Sequence, residues 1–95
     1  MVKILDAHPL LVFLEREEGY DKVKSYFINA AQIDNNLLMT SVNYGEVYYI
    51  VLRRYGQEIA NGIEKIIKGL PIEIVNVDLQ LAIEAAKLKA TIKIP

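Results

Sequence analysis

The amino-acid sequence predicts a single α/β domain in which short parallel strands alternate with helices. Three observations support this fold class. Short apolar runs rich in β-favouring residues recur along the chain, helical periodicity fills the segments between them, and turn-forming residues mark most of the boundaries. Strands that alternate with helices favour a parallel sheet with helices over its faces, joined by right-handed crossovers.

The first strand is predicted at Val2–Leu5, and it ends at Asp6. Pro9 then suits a first helical turn because its ring fixes φ and it has no N–H to satisfy. The apolar residues of the segment 10–14 follow at helical spacing. Asp6 should therefore lie at the carboxyl end of a buried strand, where ligands gather in open α/β sheets. The alternative for Asp6 is a structural role as a helix cap.

A second helix and a second strand are predicted next. Gly19 is expected to stop the first helix, and the second helix begins near Tyr20. The run Asp34-Asn35-Asn36 is typical of a turn. The short apolar segment Leu37–Thr40 suits a second buried strand.

The remaining chain repeats the pattern of two helices and a strand. Ser41 is predicted to cap a long helix over residues 41–55, and a further helix occupies residues 57–68. Residues 72–77 alternate as a strand does, and Asp78 opens a last helix as its cap. The predicted order is thus β-αα-β-αα-β-α without a linker, so residues 1–95 form one domain.

Composition narrows the classes of function. The 95 residues are 53% apolar and 24% charged, with a net charge of −1, as in globular proteins. This charge argues against a protein that coats nucleic acid through bulk positive charge, while leaving local contact open. The absence of cysteine fits a cytoplasmic protein. No apolar run approaches the roughly 18 residues of a membrane helix.

A second carboxylate, Glu46, stands out within the apolar helix 41–55. Val42 and Ile50 lie four residues away on its side of the helix, and burying an unpaired carboxylate among such neighbours would be costly. If the strands are parallel, Asp6 and Glu46 rise over the same edge of the sheet. We expect their carboxylates within about 10 Å of each other, where a hydrated Mg²⁺ or Mn²⁺ could join them. The alternative is an ordinary surface glutamate.

Two segments resemble the first two motifs of the PIN-domain ribonucleases, most closely the VapC-type toxins of toxin–antitoxin pairs. They are Ile4–Leu11 and Ser41–Tyr49, at this separation, and the likeness extends over the whole chain. The resemblance implies a three-layer α/β/α fold with a short parallel sheet. It also implies Mg²⁺- or Mn²⁺-dependent cleavage of single-stranded RNA, with Asp6 and Glu46 as the catalytic metal ligands.

The same resemblance implies that part of the acidic cluster lies beyond residue 95. In this family a third and a fourth acid follow, so the sequence is expected to cover the first two-thirds of a PIN domain. Little or no RNA cleavage is then expected from this chain alone. The alternative function is a catalytically dead module for oligomerisation or for binding an antitoxin. An unrelated flavodoxin-like or receiver-like domain is disfavoured because its acidic pair or glycine-rich phosphate loop is absent.

A homodimer or higher assembly is expected to use the helix after Ser41. One face of that helix can pack on the sheet, whereas a second face carries Tyr44, Tyr48, Leu52 and Tyr55. A helix that is apolar nearly all round must bury both faces, and tyrosine is common at protein interfaces. VapC-type toxins are commonly homodimers, so the resemblance implies the same.

Overall fold

The computed structural model describes residues 3–91, which contain five α-helices and a two-stranded parallel sheet. The α/β class is confirmed, and the predicted order of helices and strands is observed from the first helix onward. In chain order the elements are α1 (Ala7–Glu15), α2 (Tyr20–Gln32), β1 (Leu37–Thr40), α3 (Ser41–Tyr55), α4 (Gln57–Lys68), β2 (Ile72–Val75) and α5 (Leu79–Thr91).

β1 is the central strand of the sheet. It pairs in parallel with β2 on one side, and on the other side Ile4 forms a single parallel bridge with Leu38. Two backbone bonds secure this bridge, from Leu5 N to the Leu38 carbonyl at 2.7 Å and from Leu38 N to the Lys3 carbonyl at 2.9 Å. The predicted first strand is therefore reduced to one bridge among the described residues, and Val2 lies outside them.

The hydrophobic core lies between the first four helices and one face of the sheet. Because successive strand residues point to opposite faces, Leu37 and Met39 enter this core together. The other buried apolar residues come from α1 to α4 and from the segment before α1: Leu5, Ala7, Leu10, Leu11, Val12, Val23, Phe27, Ala30, Val47, Val51, Ala60, Ile63 and Ile67. This packing fixes α3 against the sheet and α1.

The opposite face of the sheet is covered by α5 across an open cleft of about 310 Å³. Leu38 and Val75 line this cleft from the strands, and Leu81 and Leu88 line it from the helix. Both α5 leucines remain more than a third exposed, at 38% and 39%. Helices thus lie over both faces, as predicted, but the layer formed by α5 is loosely packed.

The predicted end of the first helix is wrong for a local reason. α1 ends at Glu15, four positions before Gly19, since Arg16 adopts the left-handed conformation (φ 52°) and closes the helix. Gly19 instead precedes α2 with φ 96°, a conformation that suits glycine. The predicted start of α2 at Tyr20 is confirmed.

The cap of α3 is Thr40 and not Ser41. Thr40 keeps an extended backbone (φ −74°, ψ 152°), and its side chain accepts a hydrogen bond from Asn43 N at 3.1 Å. Ser41 is already helical, and its Oγ accepts a bond from Val77 N at 3.2 Å. That bond directs the backbone of Val77 towards α3, and β2 ends two residues earlier than predicted.

The tyrosine-bearing face of α3 is covered by α4 within the same chain. Tyr44, Tyr48 and Leu52 are partly buried against the core. The Tyr48 hydroxyl contacts two α4 side chains, Asn61 Oδ1 at 3.2 Å and Gln57 Nε2 at 2.7 Å. The premise that this face needs a second chain to cover it is therefore wrong, although oligomerisation itself stays a prediction.

Candidate active site

Asp6 lies at the carboxyl end of the first sheet segment, as predicted. It occupies the cap position of α1 with extended backbone (φ −80°, ψ 168°), yet its side chain makes no capping hydrogen bond to that helix. Its Oδ1 instead accepts a hydrogen bond from Asn43 Nδ2 at 3.2 Å. The exposed Asp6 carboxylate is therefore tied to α3 across 37 residues of sequence.

Asn43 holds the two elements together, and the sequence reasoning gave it no role. It is the one buried polar residue among the core positions described, at 9% exposure. Its backbone N–H is bound by Thr40 and its side-chain amide by Asp6. Because both ends of Asn43 are fixed, it sets the distance between the first turn of α3 and the Asp6 carboxylate. The sequence feature that could have indicated this role is a polar residue, Asn43, one helical turn before Glu46.

Glu46 lies one helical turn beyond Asn43, and its side chain is exposed. The expectation of an apolar environment is wrong, because Val42 on the same side is 64% exposed. Residues three apart on a helix are neighbours, so Glu46 belongs to the turn that follows the contact with Asp6. The predicted separation of about 10 Å between the two carboxylates stays a prediction.

Asp78 provides an internal comparison for Asp6. Both residues follow a sheet segment and precede a helix. Asp78 Oδ1 accepts a hydrogen bond from Leu81 N at 2.8 Å, so it caps α5 as predicted. Asp6 and Asp78 thus share a local sequence position, but only Asp78 uses its carboxylate to satisfy its own helix.

The chemistry of the two acids is that of a divalent-cation site with few protein ligands. Mg²⁺ is usually held by one or two carboxylates, with water and substrate phosphate completing the octahedron. Exposed carboxylates at one end of α3 and at the start of α1 suit that chemistry. Within residues 3–91, no group of three or more histidine, aspartate or glutamate side chains is placed to hold a metal ion. Asp6 and Glu46 would therefore form a water-rich site.

The two arginines at the end of α3 have different partners. Arg54 Nη1 contacts Glu15 Oε1 at 2.6 Å, joining α3 to the end of α1. Arg53 Nη1 donates to the Tyr49 hydroxyl at 2.9 Å. The Tyr55 hydroxyl also donates to Glu15, at 2.6 Å. Arg54 is therefore neutralised by an acid, whereas Arg53 is held by a neutral phenol.

Comparison with known proteins gives a family match. A model of the PIN domain matches residues 3–94. No curated protein and no solved structure gives a significant match. Within the part of the chain that the structure describes, none of the helices is both long and apolar enough to cross a membrane.

Proposed function

Because the chain belongs to the PIN-domain family, whose members are generally metal-dependent nucleases, we propose that it is an endoribonuclease of the VapC toxin type. Its substrate is single-stranded RNA, and its metal ligands are Asp6 and Glu46. The cofactor is Mg²⁺ or Mn²⁺. With two carboxylates the site binds metal weakly, so cleavage by this chain alone is slow or absent.

The observation that supports this proposal best is the hydrogen bond from Asn43 to Asp6. It joins the end of the first sheet segment to the first turn of the helix that carries Glu46. Asp6 is thereby directed away from the helix it precedes and towards the helix that bears the second acid. A bound metal ion would polarise a phosphoryl oxygen and lower the pKa of a coordinated water.

Metal binding is the first test, because it does not depend on activity. Titration of the full chain with Mn²⁺, followed by electron paramagnetic resonance, should show weak binding that Asp6→Asn and Glu46→Gln each reduce. Asp78→Asn is the matched control: it removes an acid from the same edge of the sheet and retains a capping side chain. Equal Mn²⁺ binding by all four proteins would contradict the assignment of the ligands.

Cleavage of single-stranded RNA is the second test. The purified chain is incubated with a labelled oligoribonucleotide and Mg²⁺ or Mn²⁺, and the products are separated on a gel. Any cleavage should vanish in EDTA and in Asp6→Asn, and should persist in Asp78→Asn. Robust cleavage that survives Asp6→Asn would refute the proposed site.

A second candidate function is a module that binds a protein partner, either another copy or an antitoxin. The apolar cleft beside α5 and the exposed Ile59 and Ile66 on α4 favour it, since exposed apolar patches often mark interaction sites. We propose a homodimer or higher assembly; the reason drawn from the tyrosine face no longer applies. Sedimentation equilibrium at micromolar concentration tests this, and a stable monomer would contradict it.

A further inference from the structure

One exposed stripe runs along α3 on a side that neither the core nor α4 covers. It contains Val42, Glu46, Tyr49 and Arg53. At 3.6 residues per turn these four positions fall within about 60° of one another around the helix axis. Tyr49 and Arg53 lie about 4.5 Å and about 10.5 Å beyond Glu46 along that axis.

Tyr49 and Arg53 are held in a defined arrangement although neither belongs to the core. The Tyr49 ring is 55% exposed, and its hydroxyl accepts the hydrogen bond from Arg53 Nη1 at 2.9 Å. The guanidinium group retains further N–H donors, and the phenol retains its own proton for donation. The pair therefore presents an aromatic face beside an oriented cation.

The charge of Arg53 is not compensated locally. Within residues 3–91 Arg53 forms no ion pair, whereas its neighbour Arg54 is bound by Glu15. A guanidinium group that is oriented, exposed and unneutralised suits a phosphate. An exposed aromatic ring beside it suits an unpaired base, since every base can stack on such a ring.

We propose that Tyr49 and Arg53 form a contact site for single-stranded nucleic acid, in which Tyr49 stacks a base and Arg53 binds an adjacent phosphate. The inference rests on the proposed function, because it places the strand along α3 with its scissile phosphate near Glu46. The rise of about 10.5 Å from Glu46 to Arg53 along the helix axis is a span that a short stretch of single strand can cover. Tyr49 and Arg53 position the substrate and take no part in the chemistry.

The test is binding of 5′-fluorescein-labelled decauridylate to the full chain, measured by fluorescence anisotropy in EDTA between about 50 and 200 mM salt. Arg53→Gln should reduce the slope of log Kd against log salt by about 0.7, as expected for one lost phosphate contact on a single strand. Tyr49→Leu should weaken binding about fivefold to a hundredfold at every salt concentration. Tyr49→Phe, which keeps the ring, should bind far better than Tyr49→Leu.

Two control variants match these changes elsewhere on the surface. Lys24→Gln removes a positive charge from an exposed position of α2, and Tyr55→Leu removes a ring that is 51% exposed on another side of α3. The proposal is overturned if Arg53→Gln and Tyr49→Leu bind no worse than these controls. It is also overturned if the wild-type chain fails to bind the oligonucleotide, or if Tyr49→Leu changes only self-association in sedimentation.

Failure of this inference and failure of the proposed function give different results. Binding in EDTA needs no metal, so it persists if Asp6 and Glu46 are not metal ligands. Conversely, loss of Mn²⁺ binding in Asp6→Asn with unaltered oligonucleotide binding by Tyr49→Leu would support the metal site and overturn the contact site.

Discussion

Glu15 joins the ends of α1 and α3, and Glu15→Gln is the most informative change to the fold. Its side chain is 11% exposed, and its carboxylate accepts two short hydrogen bonds, from Arg54 and from the Tyr55 hydroxyl, both at 2.6 Å. The two donors are adjacent in α3 and bind separate oxygens of Glu15. Glutamine keeps the size of the side chain but loses the charge and one acceptor.

The expected cost of Glu15→Gln is modest. Hydrogen bonds to charged groups contribute about 1.5–3 kcal/mol in favourable cases, but the Arg54 side chain is 53% exposed, and exposed ion pairs contribute about 0–1 kcal/mol. Because glutamine can still accept one bond, we expect a loss of about 1 kcal/mol. For a domain of this size that lowers Tm by about 4–8 °C.

The same contacts make stability depend on pH at both ends of the scale. The Tyr55 hydroxyl, and after it Arg54, lower the pKa of Glu15 below 4.5. Because the folded value is the lower one, this stabilisation is present above pH 4.5 and is lost as the pH falls through the folded pKa. The bond to Glu15 also raises the pKa of Tyr55 above 10.0. That contribution is present below pH 10.0 and is lost as the pH rises through the folded value.

Thermal unfolding followed by circular dichroism, from acidic to alkaline pH, measures these effects. Glu15→Gln should lower Tm at neutral pH and flatten both flanks of the pH profile relative to wild type. Glu18→Gln is the control, because it removes the same charge from a nearby exposed position. Combining Glu15→Gln with Tyr55→Phe tests the coupling. Equal Tm values for Glu15→Gln and Glu18→Gln would show that the contacts of Glu15 do not stabilise the fold. Additive effects of Glu15→Gln and Tyr55→Phe on Tm would show that the two residues are not coupled.

Four further changes have expected outcomes: three alter stability and one alters metal binding. Gly45→Ala should raise Tm by about 4–8 °C, since a Cβ there meets nothing within 4 Å and alanine gains about 1 kcal/mol in a helix. Gly56→Ala should lower it, because Gly56 has φ 90°. Met39→Ala, at a fully buried position, should cost about 2–5 kcal/mol in urea unfolding. Asn43→Ala should weaken Mn²⁺ binding about 10–100-fold if Asn43 orients a ligand; unchanged Mn²⁺ binding would contradict that role.

Features controlled by local chemistry were predicted closely. The end of α3 and both bounds of α4 agree with the structure, because Gly56 separates the two helices with a positive φ and the apolar spacing of each helix is regular. The capping role of Asp78 was likewise predictable, because it directly precedes the predicted last helix. Its carboxylate binds the N–H of Leu81, in the first turn of α5. Such features depend on neighbours within one turn of the chain.

Features that depend on distant partners were predicted less well. Periodicity indicated that Val42, Glu46 and Ile50 share one side of α3, but it cannot show whether that side is turned towards solvent. The sheet and α4 occupy the other sides of the helix, so Val42 and Glu46 are exposed. The first strand shrinks to one bridge for a related reason, since its pairing depends on residues more than thirty positions away.

The comparison between Asp6 and Asp78 shows where the functional information lies. Both acids lie between a sheet segment and a helix, so each could cap the helix that follows it. Asp78 caps α5 in this way. Asp6 does not, and its carboxylate is bonded instead to the buried amide of Asn43. Asp6 thus joins α3 through Asn43 and leaves the cap of its own helix unmade. The absence of a capping bond from Asp6 to α1, together with its bond to Asn43, makes Asp6 a better candidate for a metal ligand than Asp78.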